Sequence, residues 1–335
     1  DHKTGIALIE NAISGIGKIE AVGHRMVLGG EDIRDAVVLN ESTVAIIEKY
    51  TPLAPLHNPP TLAGFRAARE IFSSIPHVGV FDTAFHSTLE PKAYVYPLAY
   101  ECYEKHGIRR FGYHGTSHKY VALRAAEIAG KPTKDFNCVT CHLGNGSSIT
   151  AVRGGKSVDT SLGFGTMCGI PMGTRAGDFD PDIVLYLIER VGMKPSEVKD
   201  LIYTRSGLKG ISGISNDVRD IDAAARDGNK RARLALEILG HYGRKMIAAM
   251  AASMAAPLHA VVFTAGIGEN QSSVREAMCR GLEFMGVRID PEKNRGVREE
   301  AIVSAQDSTA AVMVVPTNEE LMIGLDTERI VAAQG

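Results

Sequence analysis

Two arginines, a few carboxylates and two histidines stand beside glycines or at strand ends, where side chains reach a ligand. Arg25 lies in GHRMVLGGE and Arg175 in MGTRAGDFDP. Burying an arginine in a largely apolar strand is costly unless an anion meets it. Its planar fork suits a carboxylate or a phosphate. The competing reading is an internal pair, with Glu31 for the first and Asp178 for the second. Asp82 closes the run HVGVFD. An acid at the carboxyl end of a strand is well placed for metal or ligand work in an open α/β sheet, or simply caps the turn at Thr83-Ala84. Glu319 and Glu320 follow AVMVVPTN. They suit magnesium held through water, or the dipole of a helix start. His114 in FGYHGTSH and His142 in CHLGNGSS abut glycines. Either can hydrogen-bond a phosphoryl oxygen without acting as a base. Phosphoryl transfer asks for such parts: positive charge around the moving group, a carboxylate-supported metal and an acceptor pocket. A carboxylate acceptor is already ionised at neutral pH and needs no general base.

The familiar phosphate motifs are missing. The one P-loop candidate, ending at Gly155-Lys156-Ser157, has Thr150 where the first glycine belongs. Gly154-Gly155 reads instead as a hairpin turn. Gly266-Ile267-Gly268 begins a dinucleotide fingerprint, but Gln271 replaces its last glycine. No protein-kinase set is present. Cys138 and Cys141 form a lone C-x-x-C on a strand, where they point to opposite faces and read as buried hydrophobes.

Short β-rich runs alternate with helical patterns, which predicts an α/β protein. Strands are expected at 21–27, 77–82, 137–143, 148–152, 260–264 and 311–315. Helices are expected at 42–50, 61–73, 117–129, 181–191, 195–203, 230–255, from 272 onward, and at 319–332. Gly144-Asn145-Gly146 reads as a tight turn between two strands. Leu239, Tyr242, Met246, Met250 and Met254 fall on one face of the longest helix and read as core. Several strands end in glycine turns, whose exposed amides bind phosphate oxygens well.

Bulk composition sets limits. The chain has 335 residues, enough for two ordinary domains, with a formal net charge of -2. That balance favours neither nucleic acid nor an anionic membrane. The segment 246–258 is too short and too interrupted to span a bilayer. Five scattered cysteines and no signal peptide point to a reducing, cytoplasmic setting. The chain opens at Asp1 and enters almost at once into the periodic segment Ile6–Ile13, read as a boundary rather than a natural start.

Taken together, GHRMVLGGE, PLHNPP, GVFDTAFH, RRFGYHGTSHKYV, HLGNGSSITAV, VDTSLGF, MGTRAGDFDP, GISGISNDVRD, VFTAGIGEN and VVPTNEELMI resemble the acetate kinase family, within the sugar kinase, Hsp70 and actin superfamily. The resemblance implies two ribonuclease H-like (actin-like ATPase) domains with a cleft between them, divided as 1–83 plus 317–335 and 84–316, with hinges at Asp82-Thr83 and Pro316–Asn318. It implies direct in-line transfer between ATP and acetate with Mg2+ (or Mn2+), and a homodimer formed through the second domain. By motif, Arg25 and Arg175 would hold acetate and the moving phosphate, and His114 would bond the transition state. Asp82 would orient catalytic groups and, with Glu319, place magnesium. His142, Gly144, Asn145 and Gly146 would contact phosphates. Asp217, Arg219, Gly266, Ile267, Gly268 and Asn270 would hold the nucleoside. Val27, Leu56 and Tyr113 would line the acetate methyl pocket.

Three departures stand out. The family's opening strand and phosphate turn, rich in Asn, Gly and Ser with a following lysine, has no counterpart here, so the first domain reads as truncated and the chain as weakly active or inactive. Leu28 replaces a second histidine. Thr166 falls where a proline normally touches the acetate methyl, and one altered pocket group shifts selectivity by about 1–3 kcal/mol. A propionate or other short-chain carboxylate kinase is therefore the alternative within the class. A non-catalytic nucleotide-binding scaffold of the actin or Hsp70 type is the alternative outside it.

Overall fold

The computed structural model describes residues 17–334 apart from Leu56 and Arg298, together with Gly5, Leu8 and Gly15. Leu56, and the periodic segment Ile6–Ile13 apart from Leu8, thus lie outside the described residues. The chain separates into two compact units. One holds the described residues through Thr88, Tyr113–Tyr120 and the chain from Asn318. The other holds Leu89–Gly112 and Val121–Thr317.

In the first unit, β1 (Val22–Met26) runs parallel to β3 (His77–Phe81), and β2 (Val37–Val38) pairs antiparallel on β3's other edge. β3 is buried at all five positions because helices cover both of its faces. On one face Met26, Ile33, Leu39 and Phe81 pack with Ile47 of α1 (Glu41–Lys49) and Leu62 and Phe65 of α2 (Asn58–Ile71). On the other, Val78 and Val80 meet Ile323, Ile330 and Val331 of the closing helix, Glu319–Ala332. Asn40 caps α1 in a reciprocal box with Thr43. Pro59 and Pro60 occupy the first turn of α2, so this helix starts three residues before the expected Thr61.

The second unit is built on a mixed six-stranded sheet. β4 (Asn137–Leu143) and β5 (Ser147–Arg153) form the expected hairpin around Gly144-Asn145-Gly146, and β6 (Lys156–Thr160) follows through Gly154-Gly155. β7 (Ala260–Thr264) runs parallel beside β4, and β9 (Ala311–Val314) parallel beside β7, with the short β8 (Ala301–Ile302) at the edge. The helix Lys230–Ser253 lays Leu239, Ile247 and Met250 into the core, and Met254 just beyond it is buried too. Cys138 and Cys141 are fully buried, and burial pushes the Cys138 thiol up to about 12 and Cys141 well up. The C-x-x-C is packing, as expected. Among the described residues no helix is long and apolar enough to cross a membrane.

Candidate active site

The first unit gathers one cluster. Because β1 and β3 are parallel and in register, with Arg25 opposite Val80, the chain leaving β3 passes the end of β1. There Asp82 N donates to Met26 O at 3.0 Å and Thr83 N to Val27 O at 3.3 Å. Asp82 is thereby set beside Arg25, whose Nη2 donates to Asp82 Oδ2 at 2.5 Å and whose Nε lies 3.9 Å from Glu319 Oε2. The weighed partner Glu31 is not the one found. The premise that Arg25 is buried also fails: its side chain is 48% exposed, whereas that of Asp82 is 3% exposed. The acid, not the arginine, is the buried member of the pair. Burial lifts the Asp82 carboxyl to about 6, against the pull of Arg25 and with a further push from Glu319. Burial raises Glu319 too, opposed by Arg25.

Asp82 does not cap the following turn. Its Oδ1 has no hydrogen-bond partner, and neither have the buried hydroxyls of Thr83 and Thr116. Thr116 is brought close by the neighbouring backbone: Gly115 N donates to Asp82 O at 2.9 Å, and a Cβ at Gly115 would fall 2.1 Å from that oxygen. Only glycine fits. His114, just before it, holds a left-handed backbone at φ 56°, and its carbonyl starts the helix Gly115–Ile128 by accepting from His118 N at 2.9 Å. Strain of this kind is tolerated where the surroundings dictate it, often at functional sites. Tyr113 and Val27 are both buried. Asn58, buried in PLHNPP, was quoted in the sequence only as part of a motif. It clamps the segment after β1 by accepting from Leu28 N at 3.3 Å and donating to Leu28 O and Ile47 O, each at 3.1 Å.

Magnesium usually takes one or two carboxylates and keeps its remaining positions for water and phosphate. The orphaned Oδ1 of Asp82, with Glu319 nearby, fits that demand. Among the described residues no group of three or more acids, histidines or cysteines forms an all-protein metal cage.

The second unit holds a separate pocket of about 380 Å³, within the usual size range for small-molecule sites. Gly144, Asn145, Asp217, Arg219, Gly266, Ile267 and Asn270 line it. Asn216 and Val218 line it as well, as does Gln271, the residue that breaks the dinucleotide fingerprint. Asp217 caps the helix Val218–Arg226 by accepting from Arg219 N at 2.9 Å, and the Arg219 guanidinium closes on both carboxylate oxygens. That pairing holds the Asp217 carboxyl down to about 2. His142, Gly146 and Gly268 sit just outside the lining. His142 is buried on β4, level with Thr264 on β7. Gly266-Ile267-Gly268 is no simple turn but part of a short helix, Ala265–Asn270.

Arg175 stands close to this pocket in the chain. Gly173 N donates to Asn145 O at 3.3 Å, and Met172 N to Arg175 O at 3.0 Å. The Arg175 Nη1 donates to Thr166 O at 2.6 Å, and burial lowers the guanidinium's proton affinity. Asp178, the partner weighed for it, instead accepts from Gly169 N at 2.8 Å. Thr166 and Arg175, chosen separately in the sequence, are thus neighbours.

A family model described as the Acetokinase family matches residues 1–325. An acetate kinase of Caldanaerobacter subterraneus is 51% identical over 340 residues, covering 99% of this chain and 84% of the relative. That of Bacillus subtilis is 48% identical, covering 98% and 85%. Among solved structures, Porphyromonas gingivalis acetate kinase superposes with a TM-score of 0.94 at 41% identity, over 99% of this chain and 85% of that one. A propionate kinase from Francisella tularensis gives 0.91 at 40% identity, over 98% and 84%. The α/β, actin-like ATPase fold class read from the sequence is the fold of this chain. The match runs through the Arg25–Asp82–Glu319 cluster and the glycine-lined pocket alike, and with it the chain belongs to the acetokinase family.

Proposed function

We propose that the chain transfers a phosphoryl group reversibly between ATP and acetate, giving acetyl phosphate and ADP by direct in-line displacement. The observation that carries the reading is the Arg25–Asp82–Glu319 cluster, with a buried carboxylate oxygen left open, in a chain whose relatives are acetate kinases. Arg25 and Arg175 supply guanidinium forks for the acetate carboxylate and the moving phosphoryl group. His114 donates a hydrogen bond to that group. Asp82 and Glu319 support a hydrated Mg2+, whose waters the Thr83 and Thr116 hydroxyls can bond. The ion supplies charge neutralisation at the phosphate oxygens. His142 and the Gly144–Gly146 turn face the phosphates. Asp217, Arg219 and the segment Gly266–Asn270 hold the nucleoside. Val27 and Tyr113 shape the methyl pocket. Trapping the product of ATP, Mg2+ and acetate as a hydroxamate tests the reading. ATP binding without hydroxamate would favour a scaffold instead.

A second reading, a propionate or other short-chain carboxylate kinase, draws support from Thr166 lying against Arg175 and from the propionate kinase among the similar structures. A higher kcat/KM with propionate than with acetate would establish it. We also propose a cytoplasmic homodimer. All five cysteines are free, as in a reducing compartment. The helix Asp182–Glu189 in the second unit exposes Ile183, Leu185 and Tyr186, apolar surface suited to a second copy. Light scattering that gives a monomer mass at micromolar concentration would refute the dimer.

A further inference from the structure

The short helix Ala265–Asn270 carries Gly266, Ile267 and Asn270 into the proposed nucleotide pocket, and it is entered in an unusual way. Ala265 adopts a left-handed backbone at φ 64°, which residues with a Cβ seldom hold without support. The support comes from four residues further on. Glu269 turns its carboxylate back over the entrance, where Oε1 accepts from Ala265 N at 2.7 Å and from Thr264 Oγ1 at 3.4 Å. The same oxygen accepts from Thr317 N at 3.1 Å, in the segment after β9. The far end of the helix is pinned separately. Arg275 is almost wholly buried and donates from Nη1 to the carbonyls of Gly268 and Glu269, both at 2.8 Å. Its Nε and Nη2 are taken up by Asn294, so it is held firmly in place.

We propose that Glu269 is a positioning residue for the nucleotide. It lines no part of the pocket itself. Its carboxylate keeps Ala265 left-handed, which sets the Gly266-Ile267 backbone at the pocket wall and ties that wall to Thr317. The inference rests on the assignment of this pocket to the nucleotide. Glutamine keeps an acceptor oxygen at the same place, and alanine keeps none. Glycine at 265 tolerates positive φ freely, and so needs less help.

The test is binding of a fluorescent ATP analogue to the whole chain, read beside thermal melting. Glu269→Ala is expected to weaken binding about tenfold, the loss of ~1.4 kcal/mol. Glu269→Gln should remain within about threefold of the parent. Adding Ala265→Gly to Glu269→Ala should recover most of the loss. Equal binding by parent and Glu269→Ala would overturn the inference. So would a loss in Glu269→Ala that tracks melting and is not recovered by Ala265→Gly. Binding that Asp217→Ala abolishes but Glu269→Ala spares would leave the nucleotide assignment standing and this inference refuted. No binding by the parent would overturn both.

Discussion

Asp82→Asn should make the protein more stable at neutral pH while destroying its activity. The carboxyl is fully buried and rises from 3.8 to about 6 on folding, chiefly through desolvation. A shift of that size corresponds to about 3 kcal/mol held against the folded state once the group is ionised. The sign follows from linkage. Between pH 4 and 6 the folded chain binds more protons at Asp82 than the unfolded chain, so stability falls as pH rises through that window. Above it the cost is constant, and below about 4 it vanishes. The amide cannot ionise and avoids the cost throughout. That cost is already net of the attraction to the half-exposed Arg25, so losing the ion pair subtracts nothing further. The balance is about 3 kcal/mol in favour of the variant at pH 8 and near zero at pH 4, a rise in melting temperature of about 4 °C at the higher pH. Scanning fluorimetry of parent and variant from pH 4 to 8, without metal or nucleotide, gives the comparison. Mg2+ with ATP should then raise the melting point of the parent alone. A variant that melts at or below the parent at pH 8, or whose advantage widens on acidification, would show that burial is not what governs this carboxyl.

Other consequences can be checked with single changes. Arg175→Lys keeps the charge and loses the fork, so kcat/KM for acetate should fall by about two orders of magnitude while affinity for ATP stays within about threefold. Steady-state kinetics beside a binding titration separates the two. Gly115→Ala would drive a Cβ to 2.1 Å from Asp82 O, so a loss of about 2 kcal/mol or more is expected, measured by denaturant unfolding. Cys138, Cys141 and Cys279 are buried with raised thiol pKa values, so a thiol reagent at pH 8 should modify the folded chain at Cys102 first and leave those three untouched. Peptide mapping reads the order.

The scaffold was largely legible because its signals are local. HVGVFD carries an apolar run, Val78–Phe81, and its first five residues become a strand covered on both faces. The turn at Gly144-Asn145-Gly146 and the one-sided apolar stripe of Lys230–Ser253 also follow from spacing alone. The partners of the charged groups were less accessible. Arg25 meets Asp82 across 57 positions of sequence, and Glu319 lies far beyond both. No periodicity encodes such pairings, and nearness in sequence points only to Glu31 and Asp178. The strained entrance at Ala265 was hidden for a similar reason. Two glycines around Ile267 read as a turn, while the residue that takes positive φ is the alanine before them, held by a carboxylate that looks like an ordinary surface acid. The two-residue strands Val37–Val38 and Ala301–Ile302 are too short to carry a pattern.

The proposed reaction passes one phosphoryl group between ATP and a carboxylate, with Arg25 and Arg175 both required. Phosphorus NMR of the chain with Mg2+, ATP and acetate observes that group directly. A growing acetyl phosphate signal matched by ADP is expected, reversed when acetyl phosphate and ADP are supplied, and lost in Arg25→Ala and Arg175→Ala although both still bind ATP. Inorganic phosphate as the sole product, or acetyl phosphate formed undiminished by both variants, would contradict it.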